Sequence, residues 1–241
     1  MQEISKIIRE RYSARVPFDP KHPIAERDLE QILEAARWAP TAHNMQNFEI
    51  IAVDDREILG RLGKIRYPID AAFVRENYPM LSFSEKELIK KKIGILGTFF
   101  PPFMKSPSAL TYVNRGDKDT ETVGKFASAC AVMLVVVYDP EKRAPASEGD
   151  FFGVIGLGCV LENMWLTARS LGIGFHVFSV LGDAPVEKEA KKILNIPGRL
   201  KIAFALRLGY PVPRPAKYLR VRRDVRDFTH INRFGSKCKE K

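Results

Sequence analysis

The sequence predicts an α+β fold, with a few well-separated strands set among helices. Three observations predict it. Strand composition is confined to residues 48–54, 126–138, 175–181 and 200–211, spaced too irregularly for a repeating βαβ series. Helical periodicity fills much of the remainder. No internal repeat or low-complexity linker interrupts the 241 residues, so a single domain over 1–241 is expected, with 65–125 as an inserted cap and 213–241 as a basic tail.

Taken in order, Ile4, Ile7, Ile8 and Tyr12 recur at helical spacing and predict a helix over 2–11 with one buried stripe. Arg11, Ser13 and Arg15 then occupy alternate positions. In extended backbone they share one face and converge on one object, and guanidinium forks around a small hydroxyl suit phosphate oxygens. A solvated basic turn is the alternative. A second helix is predicted over 25–38, with Leu29, Ile32, Leu33 and Ala36 on one face and Pro40 marking its end.

The stretch APTAHNMQN, 39–47, is polar and turn-like, and 48–54 followed by 56–64 reads as a strand and a short helix. Within 65–125, charged helical pieces at 70–77 and 84–93 precede GTFFPPFMKSP, rich in aromatics and prolines. The clearest strand lies in 126–138, full of β-branched residues and ended by Asp139-Pro140. Residues 151–174 are apolar nearly all round for three turns, predicting a central helix buried on most sides and ended by Gly172. Gly153, Gly156 and Gly158 do not form GxGxxG, so close helix packing explains them better than a dinucleotide site. A short strand at 175–181, a surface helix at 185–195 with Pro185 near its start, and a strand at 200–211 complete the order.

Hydrophobic residues make up 45% and charged residues 28%, the balance of a folding chain rather than a disordered one. The net charge of +10 makes a polyanion partner worth testing. Lysines 86, 90, 91 and 92 and 188, 191 and 192 fall on solvated helix faces. Arginines instead concentrate at 9, 11 and 15 and at 214, 220, 222, 223 and 226, two clusters able to meet in space. No RNA-binding signature accompanies them, so nucleic acid is not the expected partner, although a basic polyanion-binding protein without catalysis remains the alternative. The charged opening lacks the apolar core of a secretory signal, and 126–138 is shorter than the roughly 18 residues of a membrane span. A cytoplasmic protein without membrane contact is therefore expected. Cys130, Cys159 and Cys238 are scattered without CxxC spacing, and His22, His43, His176 and His230 lack paired helical spacing, so no metal site is expected.

The chain resembles the FMN-dependent nitroreductase family over most of its length. RYSAR, Arg11 to Arg15, is similar to the family's Arg-x-Ser-x-Arg/Lys segment. APTAHNMQNF is similar to its Ala-Pro-Ser-x-x-Asn-x-Gln-Pro-Trp segment. Residues 163–182 resemble the central dimer helix and the strand passing the flavin, and 208–225 the closing strand, its Gly-Tyr-Pro and a basic pair matched here to Arg220 and Arg222. Tyr12 stands where many members carry Arg or His, Thr41-Ala42 replaces a small hydroxyl pair, and Asn47-Phe48 replaces Pro-Trp. These departures bear on the substrate pocket wall.

The resemblance implies a three-layer fold with a mostly antiparallel sheet between helices, an intertwined homodimer, and FMN at the subunit interface. It implies that Arg11 and Ser13 hold the phosphate or ribityl chain, that Arg220 and Arg222 return to the phosphate, that Tyr12 is among the cofactor-binding residues, that Arg15 lies by the flavin pyrimidine and tunes it, and that Pro40, Thr41, Ala42, Asn44 and Gln46 line the flavin. A backbone N–H near Ser179 or Val180, in the segment continued by Leu181 and Gly182, would face N5. No side chain need be catalytic, since the flavin carries the chemistry. NAD(P)H is the implied donor in a ping-pong transfer to a nitroaromatic, quinone or similar acceptor, with dehalogenating and flavin-destroying relatives as alternatives. His43, Phe99, Phe100 and Phe103 are candidates for the substrate pocket, and residues 213–234 for an arm embracing the partner.

Overall fold

The computed structural model describes residues 2–68, 82–96, 120–122, 130–212 and 219–236. The chain order is α1 (Gln2–Glu10), α2 (Glu26–Arg37), β1 (Phe48–Val53), α3 (Arg56–Gly63), β2 (Arg66–Pro68), β3 (Ser82–Phe83), α4 (Glu85–Lys91), β4 (Ile95–Leu96), β5 (Thr120–Thr122), β6 (Val132–Tyr138), α5 (Phe151–Ser170), β7 (Gly174–Phe178), α6 (Ala184–Leu194), β8 (Lys201–Gly209) and α7 (Val225–Phe228). Short 3-10 turns lie at Ala42–Asn44 and Val180–Gly182. Two compact units result, Met1–Tyr67 with Thr120–Pro215, and Pro68–Asp119 with Ala216–Lys241.

In the first unit a four-stranded sheet in the order β1-β6-β8-β7 pairs antiparallel throughout. Every residue of β6 from Val132 to Val137 is buried. A strand apolar on both faces needs a layer on each side, and it has them. Val132, Leu134 and Val136 pack with Ile32 and Ala36 of α2 and with Leu157, Val160, Met164 and Ala168 of α5. Met133, Val135 and Val137 pack with Leu59 and Leu62 of α3 and Val186 and Ala190 of α6. A register shift against β8 falls between Val136 and Val137, which pair with Phe204 and Ile202. The extra residue turns Ile202 to the α3/α6 side and Phe204 to the α2/α5 side, although both are even-numbered.

Local chemistry fixes the helix ends. The Asp55 carboxylate accepts the N–H groups of Glu57 and Ile58 at 2.8 and 2.9 Å to open α3. In the second unit, Ser84 and Glu87 form a capping box at α4. There β3 pairs parallel with β4, and lysines 86, 90 and 91 of α4 and Lys92 just after it are exposed, as the sequence predicts. At the end of α5, the N–H of Ile173 bonds the Ala168 carbonyl and that of Gly172 the Arg169 carbonyl. Gly172 takes φ +75, the left-handed turn that favours glycine.

Two sequence expectations change. The stripe of α1 is not buried: Ile4 and Ile8 are 63% and 44% exposed, and only Ile7 is half-buried. Nor is α5 buried on most sides, since Phe151, Phe152, Val154 and Ile155 are exposed. The reason is the layering: α5 meets the sheet along one face only, and α1 lies outside it. By length and composition α5 could cross a membrane. Six of its residues are nonetheless packed inside the domain, as in the core helix of a folded protein. Residues 70–77 and 126–129 lie outside the described residues.

The expected packing role of the α5 glycines holds at two of three positions. A Cβ at Gly153 would lie 2.9 Å from Asn47 Nδ2, and one at Gly156 would lie 3.2 Å from Thr41 Cγ2, whereas Gly158 has open space. Gly156→Val is therefore expected to destabilise the fold by about 1–3 kcal/mol through overpacking against Thr41, read as a lower urea midpoint with unchanged slope.

Candidate flavin site

The RYSAR segment is pinned by its inward residue. The N–H of Ala14 donates to the Phe175 carbonyl of β7 at 2.8 Å, and the Ala14 side chain is fully buried. Around it Arg11, Tyr12 and Ser13 are half-buried and Arg15 is exposed. The backbone is not the straight strand the sequence predicts: the N–H of Arg15 bonds the Ser13 carbonyl at 3.0 Å, a tight turn.

Helix α5 supplies the wall beside this segment. Arg11 Nε donates to Glu162 Oε1 at 2.6 Å, and the Arg11 guanidinium lies 5.1 Å from the centre of the Trp165 ring. Trp165 Nε1 donates to the Tyr12 carbonyl at 3.3 Å. Arg169 pairs with Glu10 at 3.0 Å and stands 5.9 Å from the Tyr12 ring. Glu162, Trp165 and Arg169 recur at i, i+3 and i+7, so one polar stripe of an otherwise apolar helix grips residues 10–12.

Beneath the segment lies a buried cation. Arg207 of β8 is 1% exposed, and its Nε and Nη2 donate to His176 Nδ1 at 3.1 and 2.7 Å. Its Nη2 also reaches the Val16 carbonyl at 3.5 Å, and its guanidinium lies 5.0 Å from the Phe18 ring centre. A guanidinium only donates, so Nδ1 is the acceptor and the neutral imidazole carries its proton on Nε2. Burial, with Arg207 and Arg15 adding repulsion, pushes the His176 pKa down to about 3. Burial also lowers Arg207 to about 10, leaving it charged at neutral pH, and raises the Cys130 thiol to about 11, which keeps that cysteine protonated.

The loop after α2 is the second element. Thr41 and Ala42 are half-buried, while Pro40, His43, Asn44 and Gln46 are exposed. His43, Asn44 and Gln46 take φ of 50, 52 and 43, three left-handed non-glycine residues within four positions. Each costs on the order of 1–3 kcal/mol and persists only where surroundings impose it. Here the Gln46 N–H bonds Thr41 Oγ1 at 3.2 Å, Gln46 Nε2 bonds Asn44 Oδ1 at 3.0 Å, and Thr41 seats against Gly156. Asn47, where the family carries Pro, is buried with its Nδ2 donor unsatisfied.

Strand β7 ends at Phe178, earlier than the predicted strand, and Val180–Gly182 forms a 3-10 turn with Leu181 buried and Ser179 and Gly182 exposed. The structure thus brings Arg11, Tyr12, Ser13 and Arg15 against the strand that leads into Ser179–Gly182. Arg220 and Arg222 are exposed members of the second unit. Phe99, Phe100 and Phe103 lie outside the described residues. Sequence reasoning missed Glu162, Trp165, Arg207 and the partnership of His176. A signal existed for two: Glu162 breaks an apolar helix, and Arg207 breaks an apolar strand.

The donor set of the segment, two guanidinium groups and a hydroxyl within five residues, fits a phosphorylated anionic cofactor. The model of the Nitroreductase family matches residues 8–210, and the chain belongs to this family. A candidate NADH dehydrogenase/NAD(P)H nitroreductase of Archaeoglobus fulgidus is 26% identical over 211 residues, covering 88% of this chain and 87% of that protein. Among solved structures, an FMN-dependent nitroreductase from Clostridium difficile R20291 matches with TM-score 0.59 and 17% identity, covering 95% of this chain and 98% of that one. A nitroreductase with bound FMN from Bacteroides fragilis matches with TM-score 0.59 and 20% identity over 96% of this chain and 100% of that one. These likenesses show the fold.

His176 should stay neutral where ordinary histidines titrate. Its folded pKa lies below the ordinary 6.5, so between about 3 and 6.5 the unfolded chain binds a proton that the folded chain refuses. Its contribution to stability is full above pH 6.5 and is lost as pH falls through that window. The expected NMR result is that the His176 ring signals do not shift between about pH 8 and 5 and show the Nε2–H tautomer.

Proposed function

We propose that this protein is an FMN-dependent oxidoreductase that passes hydride from NAD(P)H, in ping-pong order, to a small organic acceptor such as a nitroaromatic or a quinone. We further infer a cytoplasmic homodimer with the flavin at the subunit interface. The observation that carries the reading is the Arg11, Ser13 and Arg15 segment, anchored to β7 through the buried Ala14. Family membership, the FMN of the Bacteroides fragilis neighbour and the name of the Archaeoglobus fulgidus relative support it.

Bound flavin supplies two-electron hydride chemistry, and the protein supplies position, charge and access. Arg11 and Ser13 hold the phosphate and ribityl end, and the sequence resemblance assigns Arg220 and Arg222 to the same phosphate. Arg15 places a cation on the pyrimidine side, where two-electron reduction deposits negative charge, and so favours the reduced form. Thr41, Asn44 and Gln46, braced by their own hydrogen bonds, face the ring. A backbone N–H of Ser179 or Val180 orients it for hydride arrival. The exposed Phe151, Phe152, Val154 and Ile155 of α5, with Ile4 and Ile8 of α1, are the kind of apolar surface an obligate interface buries, which supports the dimer.

The purified protein should be yellow after desalting and should bleach when NAD(P)H is added without oxygen. A colourless protein that FMN cannot reconstitute, yet binds nucleic acid with steep salt dependence, would establish the polyanion alternative. Arg11→Ala and Arg222→Ala are each expected to weaken FMN binding by about 1.5–3 kcal/mol per lost charged hydrogen bond while the chain stays folded, measured by flavin fluorescence titration. Arg15→Ala should retain flavin and lower its midpoint potential. Screening the reduced protein against nitroaromatic, quinone and halogenated acceptors identifies the oxidant.

A further inference from the structure

The α5 stripe beside the RYSAR segment does more than close the core. The Arg11–Glu162 bond runs through Nε at 2.6 Å, along the edge of the guanidinium. The Trp165 ring, 5.1 Å from the guanidinium carbon, constrains the same group from a different side. The indole is itself fixed by its bond to the Tyr12 carbonyl at 3.3 Å and by stacking on Phe175 at 5.3 Å between centroids. Phe175 in turn accepts the Ala14 N–H. One side chain thus meets a carboxylate at one edge and an aromatic face, both on a single rigid helix.

We propose that Glu162 is a positioning residue for FMN: by holding Arg11 Nε against α5, over Trp165, it presents the guanidinium ready-made to the phosphate. The inference rests on the reading of Arg11 as a phosphate ligand. A free arginine loses rotamer freedom when it grips an anion, and a carboxylate that has already ordered it removes that cost from the binding step. Repulsion between carboxylate and phosphate opposes this. Both Arg11 and Glu162 keep part of their side chains in solvent, at 25% and 37% exposure, so water screens that repulsion, whereas the geometric restraint is not screened.

The test compares FMN with riboflavin, which has the same ring and no phosphate, by fluorescence titration of the flavin-free protein. Glu162→Ala is expected to bind FMN about tenfold more weakly and riboflavin as the parent does. Glu162→Gln, whose amide oxygen still accepts from Nε, should stay within about threefold of the parent. Arg11→Ala combined with Glu162→Ala should be no weaker than Arg11→Ala alone. If Glu162→Ala does not fold, Glu162→Asp, equally charged but one methylene short, replaces it with the same expectation. Undiminished or tighter FMN binding by Glu162→Ala, while Arg11→Ala binds weakly, overturns this inference and leaves the phosphate reading standing. So does an equal loss of FMN and riboflavin. Unchanged FMN binding by Arg11→Ala overturns the phosphate reading itself, and this inference with it.

Discussion

A strand buried on both faces governs the architecture. Val132 to Val137 of β6 have no solvent side, so the chain must place apolar layers above and below them, and it does so with α2 and α5 on one side and α3 and α6 on the other. The neighbouring β8 must then satisfy both layers. It uses a bulge between the partners of Val136 and Val137 to send Ile202 one way and Phe204 the other. Past that bulge, alternation brings Arg207 to the α3/α6 side, beside Phe18 and His176. A buried guanidinium is costly unless its donors find acceptors, and here His176 Nδ1 takes Nε and Nη2 while the Val16 carbonyl lies 3.5 Å from Nη2. Packing and electrostatics under the RYSAR segment are therefore consequences of one register.

Helix α5 is the second organiser. Its glycines at 153 and 156 let the 39–47 loop approach its backbone, and its stripe of Glu162, Trp165 and Arg169 receives residues 10–12. The strained backbone at His43, Asn44 and Gln46 is held against that same helix through Thr41. Both candidate flavin-contacting segments thus take their positions from one rigid element, as a site built for accurate geometry requires.

Much of this was legible in the sequence. A run of β-branched residues located β6, apolar composition located β8, 3.6-residue spacing located α2, and Pro185 marked the start of α6, because each signal is local. What failed was burial at α1 and at the start of α5. Periodicity tells which face of a helix is apolar, not whether anything in the same chain covers it. The bulge in β8 was equally invisible, since it depends on pairing with β6. The interlock of Arg207 with His176 joins residues 31 apart through a strand register, and the grip of Glu162 on Arg11 joins residues 151 apart, beyond any spacing rule.

The three arginines around the segment are not equivalent, and the difference follows from their surroundings. Arg11 shares its charge with Glu162 and is partly wetted, so its field is short-ranged and its contribution is geometric. Arg207 sits in a low-dielectric interior, where the same unit charge acts over a longer distance, and the neutral His176 beside it does nothing to cancel it. Arg15 is exposed at the surface of that arrangement, its charge felt by His176 below. On the proposed reading, grip on the phosphate and the electrostatic bias on the ring are thereby assigned to different side chains. A change at Arg11 then alters how tightly flavin is held without altering how readily it is reduced. The reverse applies at Arg15.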